Sequence, residues 1–246
     1  MVPCLQLVKR RRVDRRVRPG YHPAFRIPWR ILAAAPLLAA CAARSAPPAG
    51  PPDPELAREA VEATAPRRTV QILFDWNVRE RDARFSGRGV ARVQPPYHAR
   101  LDLFGPRGEG YLTAALVQDD LRLPPAAQDA PVPPPPLLWS ALGVLRPPAD
   151  AELLGTERDG AVLRLEYGNG AGRWRYRLEG GQLLYAEWLP ADGGRHTVEL
   201  RPGEGDGPPR EARYRDWAAF VELVLMLDAV EDAPPFPPEI WTPHAP

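Results

Sequence analysis

The cysteine at position 41 is the residue whose chemistry is easiest to infer from its neighbours. It ends the run Leu38-Ala39-Ala40-Cys41, in which small side chains precede a thiol. An arginine-rich segment and a short apolar core from Ile31 to Ala40 come before it, in the order of a secretory signal. A thiol can form a thioether, and small neighbours let a peptidase approach the backbone. The site can therefore be both cleaved and alkylated.

This pattern predicts a lipobox, the processing signal of bacterial lipoproteins. Residues 1–40 would be the signal peptide, and Cys41 would become the new N-terminus, carrying diacylglycerol and acyl groups such as palmitate. Two or three acyl chains are enough for stable membrane anchoring. The alternative is a free cysteine buried in a core helix, a common environment for this residue type. No other covalent group and no cofactor is predicted.

The segment after Cys41 has the composition of a tether. Residues 42–54 read AARSAPPAGPPDP, and so many prolines favour an extended polyproline II chain over a packed core. Thirteen such residues reach about 40 Å at roughly 3.1 Å each. We predict a lipidated tether at 41–54, a folded domain at 55–241 and a short tail at 242–246.

The balance of basic and acidic residues also changes near position 41. Nine of its 32 basic residues but one of its 31 acidic residues precede position 41, so the remainder holds 23 basic and 30 acidic residues, a net charge of −7. An acidic body argues against nucleic-acid binding. No stretch after Arg30 is long and uncharged enough to span a bilayer, which needs about 20 apolar residues. The lipid is therefore the predicted means of attachment.

Catalytic and metal-binding patterns are weak throughout the body. It has no lysine, which excludes a Schiff-base lysine and a P-loop lysine. Its serines lack a G-x-S-x-G setting, and its histidines are too scattered to predict a metal site. Asp102, Glu166 and Glu187 alternate with arginines on predicted strands and are expected to be cross-strand ion partners. The chain is predicted not to be an enzyme.

The body alternates apolar and polar residues at the two-residue period of strands. In Arg173–Glu179, for example, Trp174, Tyr176 and Leu178 point one way and charged residues the other. A helix is predicted over 55–65, and the apolar segment 221–227 is interpreted as a strand rather than a helix. The other predicted strands are 70–79, 84–94, 97–104, 111–117, 162–167, 173–178, 183–188 and 196–201, and residues 213–217 alternate in the manner of a strand as well.

The apolar side of such a sheet must be covered. The segment 137–146 is the internal candidate, because Leu138, Leu142 and Leu145 repeat at helical spacing with Trp139 beside them. Gly143 weakens the helix, and two turns are too short to be stable alone. Two interpretations remain: the segment completes a closed core, or it forms a movable lid over a cavity.

The order of lipobox, strands, helical interruption and further strands resembles the LolA/LolB-like superfamily of bacterial periplasmic carriers and outer-membrane lipoproteins. The most similar stretch is Ala99–Gly108, where a strand ends in a Gly-Pro-x-Gly turn; Arg213–Trp217 and Pro235–Trp241 are also similar. The resemblance implies a mainly β fold, a strongly curved antiparallel half-barrel with a short helical lid and an N-terminal helix. It implies a cavity that accepts acyl chains of lipids or lipidated client proteins.

The resemblance also assigns roles to residues. The implied lid is Leu138, Trp139, Leu142 and Leu145. The implied cavity wall is Phe74, Trp76, Trp174 and Tyr176. The protruding turn is Pro106, Arg107 and Gly108, where the LolB receptor carries an apolar residue thought to help deliver lipoproteins to the membrane. A charge at Arg107 opposes insertion into hydrocarbon.

We therefore expect a membrane-anchored lipoprotein of the cell envelope, at the periplasmic side of the outer membrane, that binds acyl chains and takes part in lipoprotein localisation. Ala42 follows the lipidated cysteine where an aspartate would favour retention in the inner membrane of some bacteria. The alternative is a structural or assembly lipoprotein with a filled core and a periplasmic protein partner.

Overall fold

The computed structural model describes residues 48, 50–128, 130, 132–205 and 207–243. Cys41, the predicted signal peptide, most of the predicted tether and the last residues of the tail lie outside them. Residues 44–246 form a separate compact unit that contains every described element and a continuous apolar core. A unit with its own core is expected to fold by itself.

Two helices, two 3₁₀ turns and twelve strands occur in the described part of the chain. The helices are α1 (Pro54–Thr64) and α2 (Pro135–Ala141), and the 3₁₀ turns are Pro125–Ala127 and Pro238–Trp241. The strands are β1 (Val70–Glu80), β2 (Ala83–Gln94), β3 (His98–Phe104), β4 (Gly110–Val117), β5 (Asp120–Arg122), β6 (Glu152–Asp159), β7 (Val162–Asn169), β8 (Gly172–Glu179), β9 (Gln182–Pro190), β10 (His196–Arg201), β11 (Glu211–Asp216) and β12 (Val221–Asp232).

All twelve strands form one antiparallel sheet in the order β5-β4-β3-β2-β1-β12-β11-β10-β9-β8-β7-β6. The first and last strands pair at its centre, from Val70 opposite Asp232 to Glu80 opposite Val221. The sheet is curved but not closed, and β5 and β6 are its edges. The prediction of a mainly β antiparallel half-barrel with an N-terminal helix is confirmed. The connection between the two edges carries α2.

The two faces of the sheet differ as the alternation predicts. In β8, Trp174, Tyr176 and Leu178 are buried while Arg173 and Arg177 are exposed. Both helices share a core with the apolar face, and arginine–carboxylate pairs occupy much of the other face. We call these the apolar face and the charged face.

The strand interpretation of the segment after Tyr214 is confirmed by β12, but two other strands were missed. β5 has only three residues, too few for a period to show. In β6 the register shifts between Leu153 and Gly155, so the neighbouring Leu153 and Leu154 break the alternation. A bulge of this kind hides a strand from a search for strict two-residue periodicity.

The start of the domain covers the exposed edge at β6. Asp53 caps α1 by accepting a hydrogen bond from Leu56 N at 3.1 Å, and its own backbone N–H donates to Thr156 Oγ1 at 3.0 Å. Gly50 O accepts from Thr156 N at 3.3 Å. A covered edge cannot pair with a strand of another molecule.

The second helix is shorter than the predicted segment 137–146. It ends at Ala141 because Gly143 adopts φ +83° and its N–H donates to Ser140 O, while Val144 N donates to Trp139 O. This is a Schellman motif, the helix ending that glycine favours. Leu142 and Leu145 therefore belong to the helix cap and the following turn, not to a helical face.

Candidate functional site

The ends of the strands form two rims of the half-barrel, and successive strand connections alternate between them. One, the helix rim, carries the turns at 95–97, 118–119, 160–161 and 180–181 and the loop 202–210. The other, the aromatic rim, carries the turns at 81–82, 105–109, 170–171, 191–195 and 217–220. The ends of α1 and α2 both lie at the helix rim, since Thr64 and Leu142 line one cavity with Gly180 and Pro202. Leu145 N donates to Thr64 Oγ1 at 2.9 Å and joins the two ends.

A cavity of about 570 Å³ opens at the helix rim. It lies between the end of α1, the turn after α2, the 180–181 turn and the 202–209 loop. Its apolar lining is contributed by Ala63, Val70, Ile72, Val93, Leu142, Val144, Leu183 and Val230. Arg67, Arg68 and Gln182 supply polar side chains, and no described lining residue is acidic. A volume of this size is typical of pockets that hold one small organic ligand.

The four predicted wall residues lie on the apolar face. Phe74, Trp76, Trp174 and Tyr176 are all buried in one core with the helices. Trp76 Nε1 donates to Arg88 O at 3.0 Å and to Phe104 O at 3.1 Å. Phe74 lies directly over Gly89, where an added Cβ would come within 2.3 Å of its ring. None of the four is among the described residues that line the cavity.

All four predicted lid residues belong to the same core. Leu138, Trp139 and Leu145 are buried, and Trp139 Nε1 donates to Gln118 O at 2.8 Å, which attaches α2 to the β4–β5 turn. The Trp139 ring also meets Tyr97 edge to face at 5.9 Å. Leu142 is the lid residue that lines the cavity. The space beneath α2 is thus filled, and open space begins beside its C-terminal end.

The apolar face holds polar atoms without partners. Trp174 Nε1, Trp188 Nε1 and Tyr176 Oη are buried and have no hydrogen-bond partner among the described residues. The Trp174 and Trp188 rings stack at 5.1 Å. Burial raises the pKa of Tyr176 well above its ordinary value, so the hydroxyl keeps its proton. Each unpaired buried donor costs about 1–3 kcal/mol.

His196 continues this aromatic row towards the aromatic rim. Its ring stacks on Trp188 at 4.8 Å, and its Nδ1 lies 3.0 Å from Tyr214 Oη. Burial lowers the pKa of His196, and the carboxylate of Asp216, 3.7 Å away, opposes that shift by a smaller amount. The imidazole is therefore neutral near pH 7.

The turn Pro106–Gly108 is exposed on the aromatic rim. Its shape is held by local bonds: Gly108 N donates to Gly105 O at 2.9 Å, and Arg107 N donates to Glu109 Oε2 at 2.9 Å. The same rim exposes large apolar side chains that the sequence interpretation missed. Phe220 is 74% exposed, and Phe85, Tyr111 and Trp217 are each nearly half exposed.

The prediction that the strand carboxylates are ion partners is confirmed. Asp102 accepts from Arg92, Arg100 and Thr113. Glu166 pairs with Arg173 at 2.9 Å, and Glu187 pairs with Arg195 at 2.7 Å. In the part of the chain that the structure describes, no three His, Cys, Asp or Glu side chains gather to hold a metal ion. None of its helices has the length and hydropathy needed to span a bilayer.

No pattern in the sequence indicates the cavity itself. Most of its lining comes from four segments that are far apart in the chain, around 63–72, 142–144, 180–183 and 202–209, and Val93 and Val230 add to it from two further strands. Gly180 and Gly181 have the pattern of a hairpin turn, which does not by itself indicate a cavity. Arg67 and Arg68 carry no pattern that distinguishes them from other surface arginines.

The sequence matches no protein-family model and no curated protein. Among solved structures, a LolA superfamily protein from Nitrosomonas europaea is similar, with a TM-score of 0.52, 13% identity, and coverage of 77% of this chain and 97% of that one. A domain from Vibrio parahaemolyticus, provisionally assigned as an outer membrane lipoprotein-sorting protein, scores 0.46 at 11% identity over 76% and 94% of the two chains. A DUF1329 family protein from Desulfovibrio piger scores 0.46 at 9% identity over 77% and 98%. The antiparallel half-barrel of this chain is a LolA/LolB-like fold.

Proposed function

We propose that this chain is a bacterial envelope lipoprotein that binds acyl chains, of a lipid or of a lipidated client protein, on the apolar face of its half-barrel. The cavity at the helix rim carries the proposal, because its walls combine aliphatic side chains with an opening at the surface. Burial of an acyl chain there would contribute about 25 cal/mol for each Å² of apolar surface removed from water. No catalytic group is needed for such binding.

The predicted wall and lid residues would contact the ligand only if α2 moves. The helix has seven residues, begins with two prolines and ends at Ala141, so little intrinsic helix stability holds it in place. Displacement of α2 would extend the cavity from Leu142 to Trp174 and Tyr176. An ester oxygen of the ligand could then accept a hydrogen bond from the unpaired donors there.

Lipid analysis of the full-length protein tests this function. Purified in mild detergent from the cell envelope, the protein is expected to contain bound lipid by mass spectrometry, and Leu142→Glu is expected to remove it. Leu142→Trp, which fills the cavity without adding charge, should do the same. Met226→Glu is the matched control, because Met226 is nearly half exposed and lies outside the cavity lining.

The outcome separates acyl binding from a purely structural role. Lipid retained in both Leu142 variants, with native circular dichroism, would contradict binding in this cavity. If Leu142→Glu unfolds the domain and Leu142→Trp does not, the lipid content of Leu142→Trp decides whether lipid binds in this cavity. Global unfolding by both variants, with no lipid in the wild type, would favour the closed-core interpretation.

Anchoring and location form the second part of the proposal. Cys41 would carry the acyl groups and residues 42–54 would serve as the tether, with Ala42 favouring the outer membrane. Arg107 at the tip of the protruding turn favours holding a ligand over inserting one into hydrocarbon. Retention of the domain in the membrane fraction, and its release by Cys41→Ser, would support lipid attachment.

A second candidate is an assembly lipoprotein with a protein partner. The filled space beneath α2 and the exposed Phe85, Tyr111 and Phe220 on the aromatic rim favour it. Large exposed apolar side chains grouped on one surface commonly mark interaction sites. Loss of a co-purifying envelope protein in Phe220→Ser, with bound lipid unchanged, would support this alternative.

A further inference from the structure

The cavity carries the opposite charge to the domain that contains it. After residue 40 the chain has a net charge of −7. The charged side chains among the described cavity-lining residues are nevertheless both arginines, Arg67 and Arg68. A local positive potential on an otherwise acidic protein raises the local concentration of anions at that place.

Both arginines are available to a ligand. Arg67 is exposed, and no ion pair involving it is found in the described part of the chain. Arg68 pairs with Asp232 at 2.5 Å, but the two side chains are 60% and 75% exposed. An ion pair this exposed contributes little to stability, so a ligand anion can replace Asp232 at little cost.

The positions of the two arginines match the arrangement of an amphiphile. They lie between the end of α1 at Thr64 and the start of β1 at Val70, so their backbone is held at both ends. The aliphatic residues Val70 and Ile72 follow them directly into the cavity. The cavity lining thus has two charged side chains at one place and an apolar surface next to them.

We propose that the ligand of this cavity is a single-chain amphiphile with an acidic headgroup, a carboxylate or a phosphate. Its chain lies against Val70, Ile72 and Leu142, and its headgroup binds Arg67 and Arg68. A guanidinium group holds either headgroup through paired, charge-assisted hydrogen bonds. This inference rests on the proposed acyl-binding function and adds the charge of the ligand to it.

Equilibrium dialysis of residues 44–246 with four twelve-carbon probes below their micelle concentrations tests the inference. The probes are laurate, dodecyl phosphate, the neutral glycerol ester monolaurin and the cation dodecyltrimethylammonium. We expect the two anions to bind about tenfold more tightly than monolaurin. The cation should bind most weakly. Preference for laurate over dodecyl phosphate, or the reverse, identifies which acidic headgroup the site takes.

The double variant Arg67→Gln/Arg68→Gln provides the decisive comparison. Its affinity for the anions should fall to that of monolaurin, while monolaurin binding should stay within about twofold, because the neutral ester does not use the charges. Arg177→Gln, an exposed arginine on the charged face, is the matched control and should change neither. Raising the salt concentration should reduce the preference for anions in the wild type.

The results distinguish this inference from the function on which it rests. Equal binding of anions and monolaurin to the wild type would overturn the headgroup assignment and leave acyl binding intact. Anion affinity unchanged in the double variant would overturn it as well. Absence of binding by all four probes would contradict the acyl-binding function itself.

Discussion

Glu187 shows how single residues keep the charged face in register. Its side chain is 1% exposed, yet it accepts hydrogen bonds from Arg195 at 2.7 Å and from Tyr185 at 3.2 Å and lies 3.5 Å from Arg175. Arg175 also contacts Glu166 at 3.3 Å, so the network joins β7, β8 and β9. A buried carboxylate is tolerable only with such partners. The carboxylate of Glu187 therefore has a structural role.

His196 should make the free energy of unfolding depend on pH. Burial lowers the pKa of His196 in the folded state, so the unfolded chain, with a pKa near 6.5, takes up the proton first. This residue's contribution to the free energy of unfolding is therefore complete above pH 6.5. It decreases as the pH falls below 6.5 towards the folded-state pKa.

Urea denaturation between pH 7.5 and 5 measures this effect. The wild type should lose stability over that interval, and His196→Gln should lose less. Glu222, whose pKa a hydrogen bond from Arg215 lowers, contributes a separate decrease only under more acidic conditions. Parallel curves for the two proteins from pH 7.5 to 5 would contradict the assignment to His196.

At the scale of elements, α2 and its cap determine whether the apolar face is closed. The helix contacts β9, β10 and β11, and Trp139 attaches it to the β4–β5 turn. Gly143 then redirects the chain so that Leu145 N meets Thr64 at the end of α1. The cap thus joins both helices beside the cavity.

Substitution of Gly143 should weaken this junction. Its φ of +83° is strained for other residues, and an added Cβ would lie 3.0 Å from Pro209 Cδ. Gly143→Ala is expected to lower the free energy of unfolding by about 1–2 kcal/mol. Gly170→Ala is the control, because Gly170 has open space around it. Equal stability of the two variants in urea would show that the cap geometry contributes nothing.

At the scale of the whole molecule, the half-barrel combines a well-packed interior with an unclosed circumference. The chain segment between β5 and β6 crosses the gap between the sheet edges and places α2 over the apolar face. The segment before α1 covers β6, and Trp241 at the other terminus is buried near β3 and β4. The cavity at the helix rim remains open between these segments.

Ligand binding at that rim should stabilise the entire domain. A ligand that binds only the folded state adds about 2.7 kcal/mol at a free concentration of 100 times its Kd. Monolaurin should therefore raise the melting temperature of residues 44–246 but not of the same unit with Leu142→Trp. A shift of equal size in both proteins would place the binding elsewhere.

Much of the architecture could be predicted from the sequence, because hydrophobic period is a local property. The alternation at Trp174, Tyr176 and Leu178 indicated a strand with one wet face, and the Gly-Pro turn after Phe104 indicated the resemblance to the LolA/LolB-like fold. Prediction from the hydrophobic period failed where the backbone departs from a regular strand, at the bulge in β6. It also failed at Gly143, where a residue in a left-handed conformation ended a helix predicted to continue.

The sequence by itself determined the element types, the apolar and charged faces, and the pairing of carboxylates such as Glu187 with neighbouring arginines, since each follows from residues close together on one strand or its neighbour. Only the tertiary structure decided which apolar residues are packed and which border open space. Phe74 and Leu142 are both apolar and both buried in the core, yet Phe74 lies over Gly89 while Leu142 also borders the cavity that Arg67 lines. That difference depends on how distant segments meet at a rim, a property that no local pattern of residues encodes.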